Sequence, residues 1–227
     1  MTFFDSHIHN RGDESAGFLV GLEGTPWFDS ILHNCEAEAL AVAEPEKYRF
    51  FRYVTAGEAG LNNRAIEQSN NALLKYHPRR EKYSPDQVIA SIRKLDPKAV
   101  MIDTLNEPEW VPYDYWKVCR TFPEVIFLLP HAGGYLVNDF IKICHFQPNV
   151  WIDFTLTHTN FGSISKNPLP YVDQAIWYAL NAPFRSRVLM GSDLPFFDQM
   201  AVVDYYAKLG KLEMLNANFE KLFEALG

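Results

Sequence analysis

Cysteine is scarce in this sequence, and the few copies show no pairing pattern. Cys35, Cys119 and Cys144 are the three cysteines among 227 residues, and their spacing matches neither a disulfide framework nor a cysteine-based metal motif. Scattered thiols of this kind are typical of proteins in a reducing compartment. We therefore expect reduced cysteines and a cytoplasmic protein.

Long apolar runs and a surplus of basic charge are also missing. No apolar run approaches the ~20 residues that span a bilayer, and no basic segment followed by an apolar one opens the sequence. Lysine and arginine total 21 against 28 aspartates and glutamates, which gives a net charge of -7. We expect neither a membrane nor nucleic acid as partner, and an anionic substrate would need local basic groups or a metal ion.

The sequence does contain enough apolar material for one sizeable core. Hydrophobic residues make up 48% of the chain and charged residues 22%, as in ordinary globular proteins. A length of 227 residues suits either one α/β barrel or two small domains. Because no internal repeat or low-complexity linker divides the chain, we expect a single domain over residues 1–227.

Apolar runs that read as strands alternate with stretches of helical spacing. The first of the eight predicted strands ends at the His7–His9 pair. The other seven cover residues 39–43, 49–56, 72–77, 99–104, 125–129, 150–155 and 188–190. Residues 18–22 look like an additional hairpin strand over the barrel mouth. Helical patterns cover residues 27–35, a short piece within 57–71, a helix starting at Ser84, and residues 113–122, 136–146, 171–180, 200–209 and 218–226. Parallel β/α units in this number predict an α/β protein with a (β/α)8 barrel.

Polar side chains interrupt these runs near the carboxyl ends of several strands. His7 and His9 share one face of a strand because they are two residues apart. The later interruptions are Lys75, His77, Asp103, His131, Asp153 and Asp193. Strand ends meet at one rim of a barrel, so these groups can converge on one divalent cation. Taken singly, each has a structural explanation: Lys75 in an internal ion pair, Asp103 as a turn cap, and Asp153 as an acceptor for a neighbouring loop.

Six segments spread along the chain form a recognisable set: DSHIH at 5–9, LKYHPRR at 74–80, FPEVIFLLPHAGG at 122–134, NVWIDFT at 149–155, GSDLPF at 191–196 and NANFEKLF at 216–223. In these segments the chain resembles the amidohydrolase superfamily, in the amidohydrolase-2 branch that includes aminocarboxymuconate-semialdehyde decarboxylase. The resemblance spreads over the whole chain, and GSDLPF together with the His-x-His pair is its most specific part. It implies a distorted (β/α)8 TIM barrel with, usually, one bound divalent metal.

The same resemblance implies roles for individual residues. His7 and His9 would bind the metal, Asp193 would touch the metal and its water, and His131 would orient or deprotonate that water or act on substrate. The family commonly has a histidine ligand on strand five, where this sequence has Asp103 in VMIDT. The implied ligand set is therefore His7, His9, Asp103 and Asp193 around one divalent ion, with zinc favoured and manganese as the alternative. Loss of tight metal binding is the other interpretation of Asp103, since some members of this branch work without metal.

Three basic side chains complete the predicted site. Lys75, His77 and Arg79 would bind a substrate carboxylate or phosphate, and His77 is also a candidate to replace the missing histidine ligand. The leading hypothesis is a hydrolase that uses a metal-activated water on a small carboxylate-bearing ester, lactone or amide. Decarboxylation of an unsaturated acid, as in the named relative, and a non-catalytic barrel with a structural polar network remain open. A small anionic molecule is the expected partner, and a homodimer is the expected assembly.

Overall fold

A computed structural model describes residues 3–11, 15–23, 31–56, 73–105, 110–163 and 165–227. Residues 27–30 of the helix predicted at 27–35, and the short helix predicted within 57–71, lie outside these described residues. The described residues 31–33 are not helical, and a helix begins only at Asn34.

One sheet of eight parallel strands forms the centre of the structure, with the strands in sequence order. The strands are β1 Phe3–Ile8, β2 Ser15–Val20, β3 Tyr48–Tyr53, β4 Leu73–Tyr76, β5 Ala99–Ile102, β6 Ile126–Leu129, β7 Val150–Asp153 and β8 Val188–Leu189. The amide of Ser6 donates to the Met190 carbonyl over 2.8 Å, and Ile8 forms a parallel bridge with Leu194. These bonds join β1 to the chain around the end of β8 and close the sheet into a barrel, which confirms the predicted fold class.

Helices follow most of the strands and surround the barrel. They are α1 Asn34–Ala43, α2 Pro78–Glu81, α3 Pro85–Leu95, α4 Pro112–Thr121, α5 Val137–Phe146, α6 Thr157–Asn160, α7 Pro170–Ala179, α8 Gln199–Lys208 and α9 Leu212–Leu226. Short 3-10 segments cover Pro130–Leu136 and Arg185–Arg187. The six helices predicted after residue 84 are confirmed, although α9 begins six residues earlier than its apolar pattern indicates. None of the described helices combines the length and the apolar character needed to cross a membrane.

Alternate residues of the strands pack on opposite sides of the sheet. In β5, Val100 and Ile102 belong to the large core beneath the surrounding helices, whereas Met101 belongs to a separate interior cluster. Helix α9 contributes Phe219 to that interior cluster, where its ring stacks on Phe4 with centroids 4.9 Å apart. The amino-terminal end of β1 is therefore packed with apolar side chains, which leaves the carboxyl ends of the strands for polar groups.

Two strand predictions near the amino terminus are wrong. Residues 15–20 form β2, which is a full barrel strand parallel to β1 with Phe3 opposite Ser15, and not a hairpin strand. Residues 39–43, predicted as the second strand, lie in α1, where Ala39, Val42 and Ala43 are not buried. The apolar character of this run comes mainly from alanine, which favours helices and does not by itself indicate a buried strand.

Candidate active site

Strand β1 supplies two histidines to the carboxyl rim, and the segment after β8 supplies a carboxylate beside them. His7 Nδ1 lies 3.4 Å and His9 Nε2 lies 3.2 Å from Asp193 Oδ1. All three side chains are buried, and their ligand atoms lie within 4.8 Å of one another. The Asp193 amide donates to the His7 carbonyl over 2.8 Å. The seam of the barrel, where β1 meets the segment after β8, therefore also sets the spacing of these three side chains.

The hydrogen bonding of His9 leaves a lone pair facing that carboxylate. His9 Nδ1 lies 2.8 Å from the carbonyl oxygen of Val20, which can only accept, so Nδ1 carries the hydrogen. In the neutral ring, Nε2 then presents its lone pair to Asp193 Oδ1. His7 Nδ1 is buried near the same oxygen and makes no hydrogen bond within the described part of the chain. A metal ion between the lone pair and the carboxylate oxygen, or a proton on Nε2, would satisfy both atoms.

The donor set suits a divalent ion in both type and spacing. Two ligands at ~2.0–2.1 Å from a tetrahedral zinc lie about 3.3 Å apart, close to the separations between the two imidazoles and Asp193 Oδ1. Burial lowers the pKa of His7 well below its usual value, and the charges of Lys75, His9 and His131 act in the same direction. His7 is therefore neutral, which is the form that binds metal. The structure thus brings together three of the four ligands implied by the resemblance.

Asp103, the fourth implied ligand, follows β5 and contacts a different set of residues. Its Oδ2 lies 3.0 Å from His131 Nε2 and 3.6 Å from His77 Nε2, and its Oδ1 lies 3.7 Å from Arg79 Nε. Within the described chain, Asp103 is not part of the group whose ligand atoms lie within 4.8 Å of one another. A ligand role for Asp103 stays a prediction.

The electrostatics of this second cluster follow from burial and mutual charge. Burial alone raises the pKa of Asp103, but the charges of His77, His131 and Lys75 and the hydrogen bond from His131 outweigh it and hold the pKa well below its usual value. For His131, burial lowers the pKa, and the charge and hydrogen bond of Asp103 reverse the direction and raise it. Burial lowers the pKa of His77 to about 3, although the charge of Asp103 opposes that effect.

His131 is placed by a segment with an unusual backbone. His131 and Ala132 have φ angles of 69° and 39°, in the left-handed region that costs a non-glycine residue energy. Asp153 compensates by accepting the His131 amide over 3.0 Å and the Thr155 amide over 2.9 Å. Its other oxygen accepts the Ser6 hydroxyl over 2.8 Å. Asp153 thus acts as an acceptor for the neighbouring loop, and that hypothesis is confirmed.

Lys75 lies inside the barrel below the site. The side chain is fully buried, and its Nζ lies 3.5 Å from His7 Nε2. Burial lowers the pKa of Lys75, and the charges of Asp103, Asp193 and Asp153 oppose that effect. Lys75 is not among the described residues that line the cavity, and its predicted role in substrate binding stays a prediction.

Asp5 is a site residue to which the sequence pattern assigned no role. Its Oδ1 accepts the amides of His7 and Ser192 over 3.1 and 2.9 Å, and its Oδ2 accepts the Ser192 hydroxyl over 2.5 Å and Gln199 Nε2 over 2.8 Å. Burial raises the pKa of Asp5 to about 6, although these hydrogen bonds pull the other way. Simple alternation would put Asp5 on the face of His7 and His9, but the register of β1 shifts between Asp5 and Ile8, so the spacing alone does not reveal this role.

A cavity of about 270 Å³ opens directly over these groups. His7, His9 and Asp193 line it together with His131 and Asp103. Its remaining described lining residues are His77, Arg79, Arg80, Leu22, Leu105, Leu156, Phe196 and Phe197. The cavity therefore combines a candidate metal centre, two guanidinium groups and apolar walls.

Residues 74–224 match the protein-family model described as Amidohydrolase, which covers well over half of the chain. The chain belongs to this amidohydrolase family. Members of the family are enzymes, which agrees with the buried polar groups found at the barrel rim. A search of curated proteins gives no match to this amidohydrolase.

Solved structures share the barrel. An uncharacterized TIM-barrel protein from Bordetella bronchiseptica is 17% identical, with a TM-score of 0.71 over 93% of this chain and 78% of that one. A Burkholderia multivorans amidohydrolase with bound zinc is 15% identical, with a TM-score of 0.63 over the full length of both chains. A probable 2-pyrone-4,6-dicarboxylic acid hydrolase from Acinetobacter baumannii with bound citric acid is 14% identical, with a TM-score of 0.59 over 98% of both chains. At these identities the likeness establishes the fold of the amidohydrolase and leaves its site to be argued from its own residues.

Proposed function

We propose that this amidohydrolase is a metal-dependent hydrolase that acts on a small carboxylate-bearing ester, lactone or amide. The observation that carries the proposal is the buried group of His7, His9 and Asp193, in which the bond from His9 to Val20 turns a lone pair toward the carboxylate. A bound cation would offset the cost of burying these acceptors together, which supports the proposal. Family membership supports hydrolysis as the reaction class.

One divalent ion would be held by His7, His9 and Asp193. Zinc is favoured because these ligand types suit it and because the similar amidohydrolase from Burkholderia multivorans holds zinc, with manganese as the alternative. When bound, the ion supplies Lewis acidity, which lowers the pKa of a water toward ~7 and polarises a carbonyl group.

Asp193 and His131 are the residues we assign to proton transfer. In the metal-free chain Asp193 is anionic, because a hydrogen bond and charge from His9, together with the charges of His131 and Lys75, outweigh the effect of burial and lower its pKa. Its carboxylate can accept the proton of the attacking water. His131 lines the same cavity, and Asp103 raises the pKa of its imidazole, so the proton that Nε2 shares with Asp103 is the one it would hand to the leaving oxygen or nitrogen.

Substrate binding is assigned to the basic residues of the cavity that are not in the metal group. Arg79 and Arg80 line the cavity with His77, and a guanidinium group binds a carboxylate through two parallel hydrogen bonds. A volume of about 270 Å³ admits only a small molecule. The Acinetobacter baumannii protein, with its dicarboxylic acid name and bound citric acid, supports a small polycarboxylate as the substrate class.

The proposal is tested with zinc analysis and a matched pair of lactones. We expect roughly one zinc per chain after loading, and ring opening of 2-pyrone-4,6-dicarboxylic acid but not of its dimethyl ester, which lacks the charges that Arg79 would bind. Asp193→Asn should lower kcat by ~10²–10⁴-fold, because it removes an acid–base group and a ligand. Asp139→Asn, on the exposed face of α5, is the control that should leave kcat unchanged.

Two results would contradict the proposal. A chain that takes up no zinc and no manganese, and opens neither lactone, would not be a metal-dependent hydrolase of this class. Release of carbon dioxide in place of ring opening would move the protein to the decarboxylase alternative.

A further inference from the structure

Asp103 is the residue in which this chain departs from the family pattern, and its two oxygens are already engaged. Oδ2 lies 3.0 Å from His131 Nε2 and 3.6 Å from His77 Nε2. Oδ1 accepts the amide of Leu105 over 3.3 Å and lies 3.7 Å from Arg79 Nε. The side chain is 3% exposed, so these partners, rather than solvent, satisfy its charge.

The backbone of Asp103 is fixed as firmly as its side chain. The Asp103 amide donates to the carbonyl of Tyr76 over 2.9 Å, and the Asp103 carbonyl accepts the hydroxyl of buried Tyr115 over 3.1 Å. Because the backbone is fixed, the carboxylate can turn toward the metal group only by rotation of the side chain. That rotation would break its buried hydrogen bonds with His131 Nε2 and the Leu105 amide. Such losses are costly in a buried site.

His131 is held from its other side. Its Nδ1 lies 3.0 Å from the carbonyl oxygen of Thr155, which can only accept, so Nδ1 donates. Asp103 Oδ2 is the partner of the remaining nitrogen, Nε2, at 3.0 Å. Two acceptors on opposite sides of the ring fix its plane, and the ring lies against His7 with centroids 5.2 Å apart.

We propose that Asp103 is a positioning residue that orients His131 in the cavity and does not serve as a fourth metal ligand, an assignment that rests on the proposed function. The lone pair of Oδ2 that points at His131 Nε2 cannot bind a metal ion while that contact is in place. At the end of β5, Asp103 thus stands where the family commonly has a histidine ligand, and its carboxylate binds His131, which follows the neighbouring strand β6. The metal centre then depends on His7, His9 and Asp193 alone.

The first test compares zinc affinity in matched variants by calorimetric titration with zinc alone. Loss of a ligand, or of the group that directly supports one, typically weakens metal binding by ~10–100-fold. We expect Asp103→Asn to change the zinc Kd by less than ~tenfold, and the ligand control His9→Asn to raise it by more than that. A Kd raised as much by Asp103→Asn as by His9→Asn would overturn the assignment.

The second test follows the ring of His131 by nitrogen-15 nuclear magnetic resonance and needs no metal. Asp103→Asn should shift the His131 Nε2 signal, because the carboxylate partner is lost, and His131→Asn identifies that signal by its absence. An unchanged His131 signal in Asp103→Asn would show that Asp103 does not orient the ring and would overturn the assignment.

The wild-type chain provides a check if Asp103→Asn does not fold. Zinc should move the ring signals of His7 and His9 and leave the Nε2 hydrogen bond of His131 in place. Loss of that hydrogen bond on loading would mean that the ion recruits Asp103, which overturns the assignment but leaves the proposed function standing. A wild-type chain that binds no zinc contradicts the proposed function instead, and the presence or absence of the Nε2 hydrogen bond of His131 in the metal-free wild-type chain still decides the role of Asp103.

Discussion

At the scale of single residues, three buried carboxylates at one rim behave differently because their partners differ. Asp5 meets neutral donors from Ser192 and Gln199, and burial raises its pKa to about 6. Asp103 and Asp193 face imidazoles and Lys75, and their pKa values are lowered despite burial. Neighbouring charge, not depth, therefore decides which carboxylates are anionic and fit for metal binding or pairing.

The raised pKa of Asp5 predicts a pH dependence of stability. The folded chain holds this proton more tightly than the unfolded chain, whose pKa is ~3.9, so the contribution of Asp5 to the free energy of unfolding falls between about pH 4 and pH 6 and is constant above. In chelator, Asp5→Asn should therefore gain stability relative to wild type by an amount on the order of 3 kcal/mol between pH 4 and pH 7. Urea unfolding at several pH values measures this. A difference between the two proteins that stays constant with pH would show that Asp5 titrates normally.

Residue types and strand alternation were enough to predict which of several polar groups gather at the rim. His7, His9 and Asp193 lie together because closing a barrel brings the first strand beside the last. The partners of Asp103 were not predictable, because they depend on the loop that turns His131 toward β5. The role of Asp5 was not predictable from its neighbours in the chain, because its partners Ser192 and Gln199 are almost two hundred residues away.

At the scale of elements, the segment Pro130–Leu136 controls the position of His131. Gly133 has a φ angle of 75°, and its amide donates to Thr104 Oγ1 over 2.8 Å. A Cβ at this position would overlap the ring of Phe140 on α5. Glycine is therefore required here both by the backbone and by the close approach of the helix.

Gly133→Ala tests this with a built-in control. Gly210 has a similar φ of 65°, but an added methyl group there would meet nothing within 4 Å in the described chain, so Gly210→Ala carries the backbone cost alone, about 1 kcal/mol. Gly133→Ala should cost about 3 kcal/mol, because crowding of Phe140 adds to the backbone cost. Urea unfolding compares the two. Equal losses would mean that Phe140 moves aside and that the packing of this segment is not a constraint.

The elements that the sequence mispredicted also have a physical explanation. Strands β1 and β2 are parallel but joined only by residues 9–14, whereas a parallel connection usually needs a dozen residues or more. A hairpin was therefore the expected solution for residues 18–22. Helix α3, in contrast, was predictable because Ser84 and Gln87 form a capping box with bonds of 2.7 and 3.2 Å and the apolar residues fall on one face.

At the scale of the whole molecule, the candidate metal centre spans the seam of the barrel. Its ligands come from the first strand and from the segment after the last, and hydrogen bonds from Ser6 to Met190 and from Asp193 to His7 close that seam. The ligands lie almost two hundred residues apart in the chain, so the centre exists only when the barrel is closed. A metal ion there would bind the folded chain and not the unfolded one, and would stabilise it.

Anomalous X-ray diffraction from crystals of the zinc-loaded protein tests this account most directly. The account predicts one zinc peak, with His7, His9 and Asp193 donor atoms at ~2.0–2.2 Å and with Asp103 still bonded to His131. A zinc peak away from these three side chains, or no peak at the seam after saturation with zinc, would contradict it.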